Sequence, residues 1–146
     1  MTALHLAKLE DLERLLPLAA ACHTELGIAR DDDTRRAGLE PLLDGLPHGA
    51  VYLVGPARAP LGYVTLSFGW SLAAAGMEAR LDEIYIRPAV RRRGIATEVL
   101  ATLPRALGEA GVQTLSLRLG DNSPTAALFE RAQFQDSAVR VMIKTL

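Results

Sequence analysis

The sequence predicts a mixed α/β domain rather than a doubly wound one, and three observations carry that reading. The chain has 146 residues, 49% of them hydrophobic and 23% charged, the size of one ordinary domain with a real core. No repeat, low-complexity run or long linker divides it, so residues 1–146 read as a single unit. The hydrophobic period switches along the chain in the order strand, two helices, three strands, helix, strand, helix, strand, which is not the strict strand–helix alternation of a doubly wound sheet.

Each element has its own warrant. Leu4–Leu6 suits a short strand, and Leu9, Leu12, Leu16, Ala19 and Ala20 make one face of a helix. Pro17 is expected to kink or break that helix. Asp31–Leu43 reads as a second helix that Gly45 ends, its acidic start (Asp31, Asp32, Asp33) suiting a helix N-terminus. Ala50–Val54 and Leu61–Phe68 are strands joined through the turn residues Gly55–Pro60, a hairpin. A small-residue loop over Ser71–Gly76 leads to a third strand, Ala79–Arg87, closed by Pro88. Ile95, Val99, Leu103 and Leu107 line one stripe of a helix over Gly94–Ala110, with Pro104 inside it. Thr114–Leu119 alternates as a strand, and Asn122–Ala132 reads as a helix capped by Asn122 or Ser123 with Pro124 in its first turn. Val139, Val141 and Ile143 alternate with Arg140, Met142 and Lys144 in a final strand.

Composition excludes several functions. Sixteen basic residues against 17 acidic ones leave a net charge of −1, which argues against a nucleic-acid partner, since that use asks for a strongly basic face. No uncharged apolar run approaches the ~20 residues of a membrane helix, and the N-terminus has no signal-peptide apolar core. Cys22 is the only cysteine, so no internal disulfide forms. The expectation is a cytoplasmic protein with no membrane partner. Metal ligands at Cys/His spacing are absent, so no metal is expected.

The segment that carries chemistry is LDEIYIRPAVRRRGIAT, residues 81–97. Four of the 16 basic residues (Arg87, Arg91, Arg92, Arg93) fall in seven positions, between a strand and the start of a helix. A helix N-terminus presents unpaired N–H groups and a partial positive charge, and Gly94 and Ala96 leave room for a bulky anion. That pattern predicts a phosphate or pyrophosphate site. It is not a P-loop, because no Gly-Lys-Ser/Thr follows, and no GxGxxG supports a dinucleotide fold.

RRRGIA, from Arg91 to Ala96, resembles the R/Q-x-x-G-x-G/A signature of the GNAT N-acetyltransferase superfamily. DEIYIRP precedes it as that family's central strand does, and NSPTAALFERAQF resembles the family's second motif. The close likeness covers Leu81–Phe134. It implies a mostly antiparallel sheet splayed in its middle and flanked by helices on both faces, with acyl-CoA, most simply acetyl-CoA, inserted in the split as co-substrate. It further implies that the backbone of Ile84, Tyr85 and Ile86 pairs with the pantetheine arm. The pyrophosphate would sit on Arg92, Arg93, Gly94, Ile95, Ala96 and Thr97, with Arg91 in the same basic cluster. Asn122 would lie near the cofactor and Phe129 would shape its pocket.

Acetyl transfer to an amine needs the neutral amine, and an alkylamine with a pKa near ~10 is mostly protonated at pH 7. Glu83 is the first candidate for the base and Asp82 the second, the structural alternative being an ion pair with Arg80 or Arg87. Many members of the family carry a tyrosine that protonates the departing thiolate where this chain has Phe129. Tyr85 and Tyr63 carry hydroxyls but suit packing better. Gln133 stands where the family usually has glycine, which suggests an altered turn.

Other candidates are weaker. Cys22 and His23 point about 100° apart on a helix, so they read as a core residue and a helix-face residue rather than a catalytic pair. Trp70 suits core packing better than the acceptor pocket, and Glu25 falls in the stretch that shapes the acceptor site in the family. An amine acceptor, small molecule or protein, is the expected partner. Val139–Leu146 suits a sheet edge shared between two copies in a homodimer. Two rival functions stand beside the enzyme: an acyl-CoA-binding module with little turnover, which Phe129 favours, and a nucleic-acid binder using Arg87–Arg93, which lacks grouped aromatics.

Overall fold

A computed structural model describes residues 2–146. Its five strands are β1 (Leu4–Leu6), β2 (Gly49–Val54), β3 (Gly62–Ser71), β4 (Gly76–Ile86) and β5 (Val112–Ser116), and they lie in one sheet in sequence order. Its α-helices are α1 (Leu12–Leu26), α2 (Asp32–Leu43), α3 (Ile95–Glu109) and α4 (Ala126–Arg131). β1 to β4 pair antiparallel, and only β4 and β5 run parallel, as the crossover through α3 requires. The mixed, mostly antiparallel architecture is the one expected.

Alternation along the strands gives the sheet two apolar faces. Val51, Leu53, Tyr63 and Tyr85 pack against α1 and α2, which contribute Leu15, Leu18, Ala19, Leu39 and Leu43. Val54, Val64, Leu66 and Ile86 face the other way, against the α3 stripe Val99, Leu100, Leu103 and Leu107 and against Phe129 of α4.

Two irregularities make room for a site. The β3–β4 register shifts so that Thr65 faces Glu83 while Leu66 faces Leu81. Asp82 is therefore the extra residue of a β-bulge, and the parity of β4 flips across it. Ala79 and Leu81 lie on the α3 face before the bulge, whereas Tyr85 lies on the α1 face after it. The second irregularity is a parting of strands: the β4–β5 ladder ends at Arg80–Ser116. Leu81–Ile86 thus has no neighbour on its β5 side, and this is the splay.

Several expectations need correction. α1 and α3 run uninterrupted through Pro17 and Pro104. Each proline removes one backbone bond, and the buried stripe on each helix outweighs that loss. α4 starts at Ala126 rather than Asn122, because Asn122 takes a left-handed conformation (φ 57°) that a helix cannot contain; Thr125 stands at the cap position. β5 begins two residues earlier than its alternation suggests. The final strand is not formed: residues 135–146 belong to no strand, and Val139, Met142 and Ile143 are about four-fifths exposed. A strand requires a partner, and none of the described strands pairs with this segment.

Candidate active site

Where β4 and β5 part, a cavity of about 780 Å³ opens. One wall is β4 from Leu81 to Ile86, another is the loop and first turn of α3, and a third is the segment from Leu117 through α4. Glu25 and Leu26, at the end of α1, line the cavity as well. Ile84, Tyr85, Ile86, Arg91, Arg92, Gly94, Ile95, Ala96, Thr97 and Phe129 all line this space, as do Glu83, Asp82 and Glu25. The structure does not bring Arg93, Asn122 or Trp70 into the lining. Trp70 lies near the far end of β3, 72% exposed, so it is neither a core residue nor a cavity wall.

The loop before α3 is shaped to present donors. Arg92 and Gly94 both take left-handed backbone conformations, at φ 63° and 79°. The first intrahelical bond runs from Glu98 N–H to Gly94 O. Among the described residues, the N–H groups of Arg92 to Thr97 donate to no protein acceptor. Six consecutive free donors at a helix N-terminus form an anion-binding surface. Gly94 suits its place because its φ is one that L side chains rarely adopt.

Arg91 is committed elsewhere. Its Nε donates to Ile86 O at 2.7 Å, and its two Nη atoms grip the Glu25 carboxylate at 2.7 and 2.6 Å. Its guanidinium lies 5.4 Å from the centre of the Tyr85 ring. The guanidinium holds the Glu25 carboxyl below its usual range, and Glu25 raises Arg91 in return. Arg91 thus straps the anion loop to the end of α1, while Arg92 and Arg93 stay exposed. Arg87 donates to Pro60 O at 2.8 Å and serves the fold.

The two carboxylates of β4 have different surroundings. Asp82, on the bulge, accepts from Arg80 Nε at 2.6 Å. Glu83 instead accepts from the Tyr63 hydroxyl at 2.7 Å on Oε1, and its Oε2 lies 2.9 Å from His23 Nε2. Burial, and then the negative charge of Glu83, push the Tyr63 phenol far above the usual tyrosine range, so it stays protonated. Burial likewise raises the Cys22 thiol, which leaves it a poor nucleophile. Phe129 packs edge-on against Phe134, with ring centres 5.7 Å apart.

His23 is the residue that sequence reasoning missed. Its adjacency to Cys22 drew attention to the wrong pair, and its partner is 60 positions away. Only the placement of α1 over the face of β4 that carries Glu83 brings the two together. No group of three or more His, Cys, Asp or Glu residues able to hold a metal occurs among the described residues. No helix among them is long and apolar enough to cross a membrane.

Residues 12–134 match the model of the Acetyltransferase (GNAT) family. Among curated proteins none matches significantly. A possible acetyltransferase from Clostridium difficile 630 superposes with a TM-score of 0.90 at 15% identity, over 100% of this chain and 98% of that one. An integron cassette protein from the mobile metagenome of Cole Harbour Salt Marsh gives 0.85 at 23% identity, over 98% and 90%. The aminoglycoside N-acetyltransferase AAC(6')-Iy in complex with CoA gives 0.80 at 16% identity, over 99% and 95%. At these identities the likeness is one of fold.

Proposed function

This chain belongs to the GNAT acetyltransferase family, and from that premise we propose that it transfers an acetyl group from acetyl-CoA to a primary amine. The observation that carries the reading is the row of free N–H groups from Arg92 to Thr97, set on the same cavity as the Glu83 carboxylate. The pyrophosphate of the co-substrate meets those donors, and its pantetheine arm runs along the unpaired edge of Ile84–Ile86. The amine nitrogen attacks the thioester carbon, its proton passes to Glu83, and the carbon–sulfur bond breaks as the thiolate leaves. A thiol pKa near ~8.5 puts the thiolate within about 2 kcal/mol of neutral pH, so water suffices to protonate it. Of the two tyrosines only Tyr85 lines the cavity, whereas the Tyr63 hydroxyl is bound to Glu83. Asp82, held by Arg80, is the lesser candidate for the base.

Gly94→Val tests the anion site. A β-branched residue at φ 79° costs roughly 1–3 kcal/mol and displaces the loop. The expected result by calorimetry is a weakening of acetyl-CoA binding by about tenfold or more, with Arg92→Ala weakening it less. Unchanged binding in Gly94→Val, or no binding of acetyl-CoA by the native protein at millimolar concentration, overturns the assignment.

Phe129 supports a second reading, in which the domain binds acyl-CoA with little turnover. Release of thiol from acetyl-CoA in the presence of varied primary amines separates the two: sustained release is expected, and binding without release favours the module.

The unpaired C-terminal segment supports a homodimer in which Val139–Leu146 of each copy adds to the free edge of β5 in the other. β5 is the last strand of the sheet, so its outer N–H and C=O groups await a partner. Val141→Pro in the full chain removes a ladder donor from both exchanged strands. At about 1 kcal/mol per bond, this weakens the dimer by tenfold or more. Sedimentation of the native protein as a monomer at micromolar concentration overturns the dimer.

A further inference from the structure

We propose that His23 is a positioning residue for Glu83, held by Arg35 in the neutral form that carries its proton on Nε2; the proposal rests on the reading of Glu83 as the base. Arg35, on α2, brings Nη1 to 3.4 Å from His23 Nδ1 and donates from Nη2 to Asp32 Oδ1 at 2.9 Å. A guanidinium only donates, so Nδ1 must offer its lone pair. The ring proton therefore sits on Nε2 and points at Glu83 Oε2, 2.9 Å away.

The consequence is a carboxylate clamped by two neutral donors. Tyr63, on β3, donates to Oε1, and His23, on α1, donates to Oε2. Neither donor lines the cavity, whereas Glu83 does. The remaining lone pairs of Glu83 are its only route to a proton from the cavity, and His23 and Tyr63 act only through it. His23 cannot itself serve as the base, because one nitrogen faces Arg35 and the other faces Glu83.

The charged groups around the ring are Glu83 from β4, and Arg35 with its partner Asp32 from α2. On His23's own helix, Glu25 is engaged by Arg91. Protonating Nδ1 would set an imidazolium N–H against the guanidinium.

Two measurements test this. The first needs no acceptor: long-range ¹H–¹⁵N correlation of the side-chain rings in the full-length protein. The chain has three histidines, and the set lost in His23→Gln identifies the ring. The expected signature is the Nε2–H neutral form at pH 7; an Nδ1–H form or an imidazolium overturns the proposal.

The second is the steady-state kinetics of thiol release from acetyl-CoA, with the best of n-butylamine, spermidine and kanamycin as acceptor. His23→Leu removes one of the two donors that fix the Glu83 carboxylate. It also lowers kcat by about tenfold, with KM for acetyl-CoA unchanged. His23→Gln keeps an N–H near the Nε2 position and restores most of the loss. A His23→Leu protein that melts like the native one, and that keeps its kcat, overturns the positioning role. Failure of the base reading shows differently: Glu83→Gln then turns over normally, while the ring signature is unaffected.

Discussion

Glu83→Gln lowers kcat by about 10²–10⁴-fold, the usual contribution of a positioned general base, and leaves acetyl-CoA affinity within twofold of native. The substitution preserves the volume of the side chain and its place on β4 beside the cavity, so the anion loop from Arg92 to Thr97 keeps its free N–H groups. What changes is the proton. An amide takes none from an ammonium, and the fraction of acceptor already neutral at pH 7 is small for a pKa near ~10. A second effect follows from the surroundings. Both donors, Tyr63 and His23, point at the side chain, and a glutamine offers only one accepting oxygen. With that oxygen toward His23 Nε2, the amide NH₂ donates to the Tyr63 hydroxyl oxygen, whose own proton must then turn away, at a cost of about 1 kcal/mol. The melting temperature therefore falls by a few degrees although nothing has been enlarged. Thiol release measured by a colorimetric thiol reagent, calorimetry with acetyl-CoA and a thermal melt read the three parts separately. Native turnover in this variant removes Glu83 from the chemistry and leaves the anion site standing.

What the sequence made legible was local. The α3 stripe, the alternation of β2 and β3, and the order of elements as far as α4 follow from periodicity within single segments, and the structure keeps them. The anion loop was equally readable, because a helix N-terminus preceded by a basic turn and Gly94 is one contiguous stretch. The bulge at Asp82 was not readable. The alternation of LDEIYI suits an even strand, and only pairing with β3 shows the extra residue that turns Glu83 toward α1. Arg91 shows the same limit. Its place in a basic cluster suggested an anion ligand, but Glu25, 66 positions away, holds its guanidinium. The C-terminal alternation is a true strand signal with no partner in the fold, since pattern reports which residues suit a strand and not what they pair with. Trp70 erred the same way: hydrophobicity argued for burial, and its place toward the end of a long hairpin left it exposed.

Gly62→Ala is expected to be the most destabilising single-atom-scale change in the molecule. Gly62 sits at the start of β3, opposite Ile86 on one side and Val54 on the other. A Cβ placed there would lie 1.9 Å from Tyr85 O, 2.9 Å from Tyr85 C and 3.0 Å from Ile86 Cα. All three are backbone atoms, so no side chain can swing aside; β4 itself must move away from β3. Overpacking of this kind costs about 3 kcal/mol or more, which lowers the melting temperature by roughly 6–12 °C for a domain of this size. The strain falls where function lies, because Tyr85 and Ile86 line the cavity and Tyr63, the next residue, holds Glu83. A protein that survives the change should accordingly lose turnover more than Gly38→Ala does. Gly38 lies within α2 with nothing within 4 Å of an added Cβ. There the same substitution reduces unfolded-state freedom and should stabilise by about 0.4–1 kcal/mol. Thermal melts of the two variants against the native protein measure the contrast. Equal melting temperatures would mean that β3 and β4 can separate at this point without cost, and the rigid seat of Glu83 would fall with that result.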